Sequence, residues 1–275
     1  MINFFRKIRK KLADDNKPLK YTRYAIGEIV LVVIGILIAL QINNWNETVK
    51  ARNVELDMMN EIRLSLIRDL EDLKMNLGIH NKILKSQDIL VEWLAKDREY
   101  HDTLAIHFAR INHQTEFISN EGAFETLKSM GLRSLSKDSI RINLLRIYDL
   151  RYKMYREFEN YYRTNLEHII KYENPKHFEF TEDITVINKE YVGQSDTKPK
   201  EGNLILKSSE KIIDMEDVGQ GEMKPRDVRL IKNDLHYTYW LKTNRNNNDK
   251  FIHFGIIPLI SDIQALISII EDELK

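Results

Sequence analysis

The chain has 275 residues, with 42 Lys or Arg balanced by 42 Asp or Glu, so its formal net charge is zero. It contains no cysteine, which excludes disulfides, thiol chemistry and cysteine-ligated zinc. Ten glycines and five prolines are few for this length, and this scarcity favours long helices over a turn-rich β fold.

The first 23 residues are strongly basic. They hold eight Lys or Arg and two Asp, a net charge of +6, so residues 24–275 carry −6. Because positive flanks of an apolar segment stay in the cytoplasm, we predict a basic cytoplasmic tail over residues 1–23. The mildly acidic remainder predicts no nucleic-acid binding, which needs a basic face.

An apolar run follows the basic tail. Ala25 to Ile42 is interrupted only by Glu28 and Gln41, and a helix of this length spans about 27 Å, close to the hydrocarbon core of a bilayer. We predict a single transmembrane helix over residues 24–43, in contact with membrane lipid. Tyr24 and Trp45 stand at its two ends, where interfacial aromatic anchors belong.

The apolar run has two other possible interpretations, a cleaved signal peptide and a buried core helix. A cleaved signal peptide has a shorter apolar region and an A-x-A-like cleavage site, and neither occurs before Asn43. A core helix of a globular domain shows a polar face, and none exists between Ile29 and Leu40. The sequence therefore favours an uncleaved membrane anchor.

One face of the predicted span could mediate homo-oligomerisation. Gly35 and Ala39 form a small-xxx-small pair that lets two helices approach closely in lipid. The helical spacing places five residues on this packing face: Glu28, Leu31, Gly35, Ala39 and Ile42. The alternative is that Glu28 reaches the headgroups or Arg23 and that the span does not associate.

The N-terminal sequence is similar to that of a known family. FFRKIRKKL and KYTRYAIGEIVLVVIGILIALQINNWNE, over about residues 3–47, resemble the signature of an uncharacterised family of membrane-anchored proteins common in Bacteroidota, a domain of unknown function. A short stretch from Phe124 to Gly131 adds to the likeness. The resemblance implies a Gram-negative inner membrane with a periplasmic C-terminal portion, and it implies no activity.

Residues 44–172 show the apolar period of helices. A first stripe runs through Leu56, Met59, Ile62, Leu66, Leu70, Leu73 and Leu77, with Gly78 as its expected break. We expect Ser119 and Ser136 to cap two later helices and Gly131 to end the first of them. The last stripe runs through Ile140, Leu144, Ile147, Met154, Phe158, Tyr161 and Ile169. These patterns predict a mainly all-α protein whose periplasmic domain is an antiparallel helical bundle.

The C-terminal third is less regular. Residues 173–224 are predicted to be an irregular insert, with two short strands at residues 184–187 and 204–206 as an alternative. Residues 225–275 are predicted to form helices that pack on the bundle. In that region the polar run Asn244–Asp249 is the expected break, and Ser261 with Gln264 forms a capping box.

The sequence contains no recognisable catalytic, cofactor-binding or metal-binding motif. None of the eight histidines forms an H-x-x-x-H pair, and no serine-nucleophile or phosphate-loop motif occurs. We therefore predict no enzyme activity and no cofactor. Clustered tyrosines, mainly from Tyr148 to Tyr162, are interpreted as core packing, with an aromatic ligand groove as the alternative.

Three functional classes remain. We expect a membrane-tethered interaction or scaffold module whose partner is an unidentified envelope protein. The first alternative is a periplasmic ligand sensor, which would signal through a partner because only about 23 residues are predicted to be cytoplasmic. The second alternative is an envelope enzyme.

Overall fold

The computed structural model describes residues 18–179 and 221–275. Its chain divides into two compact units, Met1–Met58 and Met59–Lys275. The described residues are mostly helical, as predicted, with one two-stranded antiparallel sheet. Residues 1–17 of the basic tail lie outside the described part, as do the predicted strands at 184–187 and 204–206.

Helix α1 spans Pro18–Ala95 and includes the whole apolar run. The prediction that Gly78 breaks this helix is wrong. A glycine inside a helix costs about 1 kcal/mol relative to alanine, and the burial of Leu73, Ile79 and Ile83 on either side offsets that cost.

Eight further helices follow within residues 96–179 and 221–275. Helices α2 (Leu104–Arg110) and α3 (Gly122–Met130) are short, and Leu132–Ser134 forms a 3₁₀ turn. Helices α4 (Asp138–Leu145), α5 (Tyr152–His168) and α6 (Asn174–His177) are joined by π-helical segments. After α7 (Val228–Asn233), helices α8 (Leu235–Lys250) and α9 (Ile257–Glu273) are joined in the same way. The three π-helical segments are Arg146–Arg151, Ile169–Glu173 and Phe251–Ile256.

Within the unit Met59–Lys275, α5 runs parallel to α1 rather than antiparallel. The Asp69 carboxylate of α1 contacts Tyr152 at the start of α5, and His80 packs against Tyr162, near its end. Parallel neighbours need a long crossover connection, and the segment from Ala95 to α4 supplies it. The continuous helical run from α8 to α9 (Leu235–Glu273) is antiparallel to both, since His80 contacts Asn248 while Arg63 contacts Glu271.

The π-helical segment Arg146–Arg151 corrects the predicted apolar stripe. A π turn holds more residues than an α turn, so the buried face shifts along the chain. Downstream of it the core contains Tyr155, Glu159 and Tyr162, each one residue after the predicted Met154, Phe158 and Tyr161. Upstream, the predicted Ile140, Leu144 and Ile147 are buried as expected.

The predicted helix ends are right at Gly131 and wrong elsewhere. Gly131 ends α3 with φ of 95°, a conformation that glycine adopts easily. The residues preceding α3 and α4 are Glu121 and Lys137, so neither Ser119 nor Ser136 is the cap. Helix α8 continues through the polar run Asn244–Asp249, because Asn244 and Asn248 are buried.

The C-terminal helices also begin differently from the prediction. Asp227 and Asp234 cap α7 and α8 through their side-chain oxygens, which accept backbone N–H groups of the first turn. Ser261 lies inside α9, so the predicted capping box with Gln264 does not exist. Within the predicted irregular insert, residues 174–177 are helical, and strand β1 (Phe178–Glu179) pairs with β2 (Lys224–Pro225).

Candidate functional site: an apolar helix and a buried polar core

The predicted packing face lies on a regular part of α1. Glu28, Leu31, Gly35, Ala39 and Ile42 are all helical, and their spacing puts them on one side of the helix. An added Cβ at Gly35 meets no atom within 4 Å. Trp45 is 68% exposed, while the side chain of Tyr24 lies outside the described part. The apolar side chains of the run are exposed, so this surface has no covering element among the described residues.

A second feature is a line of buried polar residues on α1. Asp69, Asn76, His80 and Gln87 are all almost fully buried, although their side chains are polar. Their spacing of seven, four and seven residues places them on the same helix face as Ile62, Leu66 and Leu73. Sequence reasoning missed this line because charged residues of α1 were interpreted as a solvated face. The sequence does carry a signal for this line, because these polar residues recur at the same helical spacing as the buried apolar residues.

Asp69 holds the connection between α2 and α3. Its carboxylate accepts hydrogen bonds from the backbone N–H and the side-chain amide of Asn120, at 2.8 and 2.6 Å, and from the Tyr152 hydroxyl. Burial raises the pKa of Asp69, and these donors counteract part of that rise. Burial likewise raises the pKa of Tyr152, so its hydroxyl stays protonated and donates.

Two more carboxylates hold the same connection, which we call the strap (residues 113–121). Glu159 of α5 accepts the Phe117 N–H at 2.9 Å, and Asp72 of α1 accepts the Ile118 N–H at 3.4 Å. Burial raises the pKa of Glu159 to about 7 and also raises that of Asp72. The strap is therefore held by carboxylates of two helices rather than by a strand ladder.

His80 organises the other half of the polar core. Its Nδ1 lies 2.7 Å from Asn248 Oδ1, and its Nε2 lies 2.9 Å from the Thr115 hydroxyl at the strap. Asn248 in turn donates to Gln87 at 3.0 Å. Burial lowers the pKa of His80 to about 4, so the neutral ring donates to Asn248 and accepts from Thr115.

The tyrosine cluster is mainly core. Tyr148, Tyr152, Tyr155 and Tyr162 are buried and pack edge-to-face or stacked on neighbouring rings such as Phe117, Phe124 and Phe251. Tyr161 and Tyr239 instead point outward, with 59% and 71% of their surface exposed. Because these buried rings pack directly against one another, they leave no groove between them. The buried tyrosines are therefore core residues, as predicted.

Histidines and carboxylates also meet near the ends of α6 and α8, where Glu173 contacts Lys176 and His236. His177 Nε2 lies 2.8 Å from Asp234 Oδ2, which ties α6 to the start of α8 beside a shallow surface depression. Across residues 18–179 and 221–275, no three His, Asp or Glu side chains converge as metal ligands would. The chemistry that the polar core itself offers is proton uptake and hydrogen bonding to the strap.

These features define a mainly helical protein with one long, exposed apolar helix near its N-terminus and a buried polar core. Residues 28–199 match a family of unknown function, DUF6090, and the chain belongs to this family. This agrees with the expected membership of an uncharacterised family. No curated protein and no solved structure matches the chain.

Proposed function

We propose that this protein is a single-pass inner-membrane protein of a Gram-negative bacterium, in keeping with its likeness to Bacteroidota sequences. Its N-terminus is cytoplasmic, and its C-terminal helical domain is presented to the periplasm as an interaction or scaffold module. The observation that carries the proposal is the exposed apolar run at residues 25–42, of which no part is buried. In water such a surface is unfavourable by about 25 cal/mol per Å², whereas lipid accepts it.

The burial of the C-terminal helices supports one membrane span rather than two. The helix Leu235–Glu273 is also long and apolar enough to cross a membrane, but 39% of its most apolar window is buried. Ile263, Leu266 and Ile270 of α9 belong to the core, and Asp262 pairs with Arg151 of the π-helical segment Arg146–Arg151 at 2.5 Å. These contacts support its assignment to the helical domain.

Exposed aromatic side chains support the interaction role. Tyr161 and Phe254 expose 59% and 62% of their surface. They lie close in sequence to a contact between α5 and the Phe251–Ile256 segment, where an added Cβ on Gly255 would be 3.6 Å from Phe158. Exposed aromatic residues at such a seam are typical of protein-contact surfaces.

A sensing role is the second candidate. The buried Asp69 and Glu159 and the half-buried Asp72 all have raised pKa values and hold one strap. Perturbed ionisable groups cluster at functional sites more often than elsewhere. Affinity purification from solubilised membranes separates the candidates. A scaffold should retain its envelope partner at every pH, whereas a sensor should exchange its partner between pH 5 and 8.

Topology is tested with alkaline phosphatase, which is active only in the periplasm. A fusion after Lys275 should be active and a fusion after Lys20 inactive, because the +6 charge of the tail retains it inside. Mass spectrometry of the mature protein should find its N-terminus near Met1. An inactive C-terminal fusion, or an N-terminus after Gln41, would contradict the proposed anchor.

A further inference from the structure

Four basic side chains meet where α2 lies against α1, and we call them the basic cluster: Lys85, His107, Arg110 and His113. Lys85 is on α1, His107 and Arg110 are on α2, and His113 begins the strap. Ser86 joins the two helices, since its hydroxyl lies 3.1 Å from His107 Nδ1 and 3.5 Å from Arg110 Nη1.

No carboxylate of residues 18–179 and 221–275 forms an ion pair with the basic cluster. Among the described residues, the Arg110 guanidinium makes one hydrogen bond, the long one to Ser86, and its buried Nε–H finds no acceptor. Two other arginines of the same unit pair with carboxylates: Arg245 lies 2.7 Å from Asp88, and Arg151 lies 2.5 Å from Asp262. Unlike these two, Arg110 has no counter-charge within the described part of the chain.

This arrangement is electrostatically unfavourable for the folded protein. Burial lowers the pKa of His107, and the nearby charges of Arg110 and Lys85 lower it further. Burial also lowers the pKa of His113. Cations brought together without an anion repel each other, and a buried donor without an acceptor also destabilises the folded state.

A small concavity opens beside these residues. Ile79, Lys82 and Ile83 of α1, Arg110 of α2 and His113 line it, and its surface is mostly apolar, so the polar groups of these residues lie around its edge. A guanidinium beside such an opening matches the geometry of an oxyanion, which accepts two parallel N–H bonds.

We propose that the basic cluster is a binding site for a phosphate-type oxyanion. The anion lies at the mouth of the concavity, with Arg110 as its principal ligand, the exposed Lys85 as a second positive charge nearby, and the His113 ring as a hydrogen-bond donor. The same chemistry is offered by free inorganic phosphate and by the phosphate of an anionic lipid headgroup. The site does not depend on the proposed topology.

Calorimetry on the full-length chain in phosphate-free maltoside micelles tests the site. Inorganic phosphate should bind the wild type with a Kd of about 1 mM or tighter, and Arg110→Gln should weaken it at least about tenfold. The matched control is Arg163→Gln, which also removes one positive charge. Arg163 is half-buried and hydrogen-bonded to the neutral Asn160 at 2.8 Å, and its variant should bind within about twofold of the wild type.

A second arm uses dihexanoyl phosphatidylglycerol below its micellar concentration. Tighter binding of this lipid than of phosphate would assign the site to a headgroup, and the reverse would assign it to free phosphate. Lys85→Gln, at an exposed position, should weaken either ligand and serves if Arg110→Gln fails to fold. The proposal is overturned if neither ligand binds, or if Arg163→Gln weakens binding as much as the cluster variants do.

Discussion

Asp69, His80 and Glu159 are ionisable side chains that occupy core positions. Each is less than 9% exposed, and each has hydrogen-bond partners in the core. Their protonation is linked to folding, because their pKa values differ from those of the unfolded chain. The direction of that linkage differs between the carboxylates and the histidine.

For Glu159 the folded pKa of about 7 is above its usual value of 4.5, so the folded state binds the proton more tightly. The stability from this group is complete below about pH 4.5 and is lost as pH rises through 7. For His80 the folded pKa of about 4 is below 6.5, so its contribution is lost as pH falls from 6.5 to 4. The two effects oppose each other between pH 4.5 and 6.5.

Replacement of Glu159 by Gln should remove the pH dependence of stability that comes from Glu159 and leave that of His80. Gln keeps an oxygen that accepts the Phe117 N–H but carries no charge, so Glu159→Gln should raise the free energy of unfolding at pH 8 by on the order of 1 kcal/mol. At pH 5 the variant should match the wild type. Chemical denaturation at both pH values measures this, and Glu157→Gln, at an exposed position, is the control. A gain that is equal at pH 5 and 8 would argue against a raised pKa at Glu159.

At the scale of elements, the strap depends on side chains of other elements. The backbone N–H groups of Phe117, Ile118 and Asn120 donate hydrogen bonds to carboxylates of α1 and α5. Within the described part of the chain, the strap has no strand ladder to accept these backbone donors, and three acidic side chains accept them instead. Loss of one acceptor should therefore loosen this segment before it affects the helices.

Asp69→Ala removes the acceptor of the Asn120 and Tyr152 donors. We expect the free energy of unfolding to fall by about 1–3 kcal/mol and hydrogen exchange to rise in peptides covering residues 117–120. Exposed Glu71→Ala should change neither, and Asp69→Asn, which keeps one oxygen, should have an intermediate effect. Unchanged exchange at the strap in Asp69→Ala would show that this carboxylate does not hold it.

The buried face of each helix could be predicted from the sequence wherever the regular α-helical period of 3.6 residues holds. Met59, Ile62, Leu66 and Leu73 are buried as their spacing predicts. The period fails after Arg146–Arg151, since sequence alone does not reveal that a π turn shifts the buried face. The helical run Asn244–Asp249 was also missed, because a polar run reads as a break unless its core partners, His80 and Gln87, are known.

The parallel arrangement of α1 and α5 and the site residues were less predictable. Both depend on contacts between residues far apart in sequence, such as Asp69 with Tyr152. The exposed apolar run was the clearest signal because it depends only on local composition. The basic cluster had no such signal, since its members come from two helices and the strap.

At the scale of the whole molecule, self-association through the span is the prediction that involves a second chain. Gly35→Ile should abolish dimerisation in a bilayer association assay, because its bulk would separate helices that meet at the Gly35–Ala39 face. Val33→Ile adds bulk on the opposite side and should leave dimerisation unchanged. Equal signals from the two variants would leave Glu28 as a tolerated polar residue of the span.

The carboxylate-held strap also has a kinetic consequence. Its bonds join residues 42 and 51 positions apart, and Tyr152 reaches Asp69 over 83 positions. Such contacts close large loops, so they form only after α1 and α5 have come together. Residues 113–121 are thus fixed late in folding and are among the first to open in native-state fluctuations. The time during which this segment is open to proteases or chaperones is set by the docking of two helices to which it does not belong.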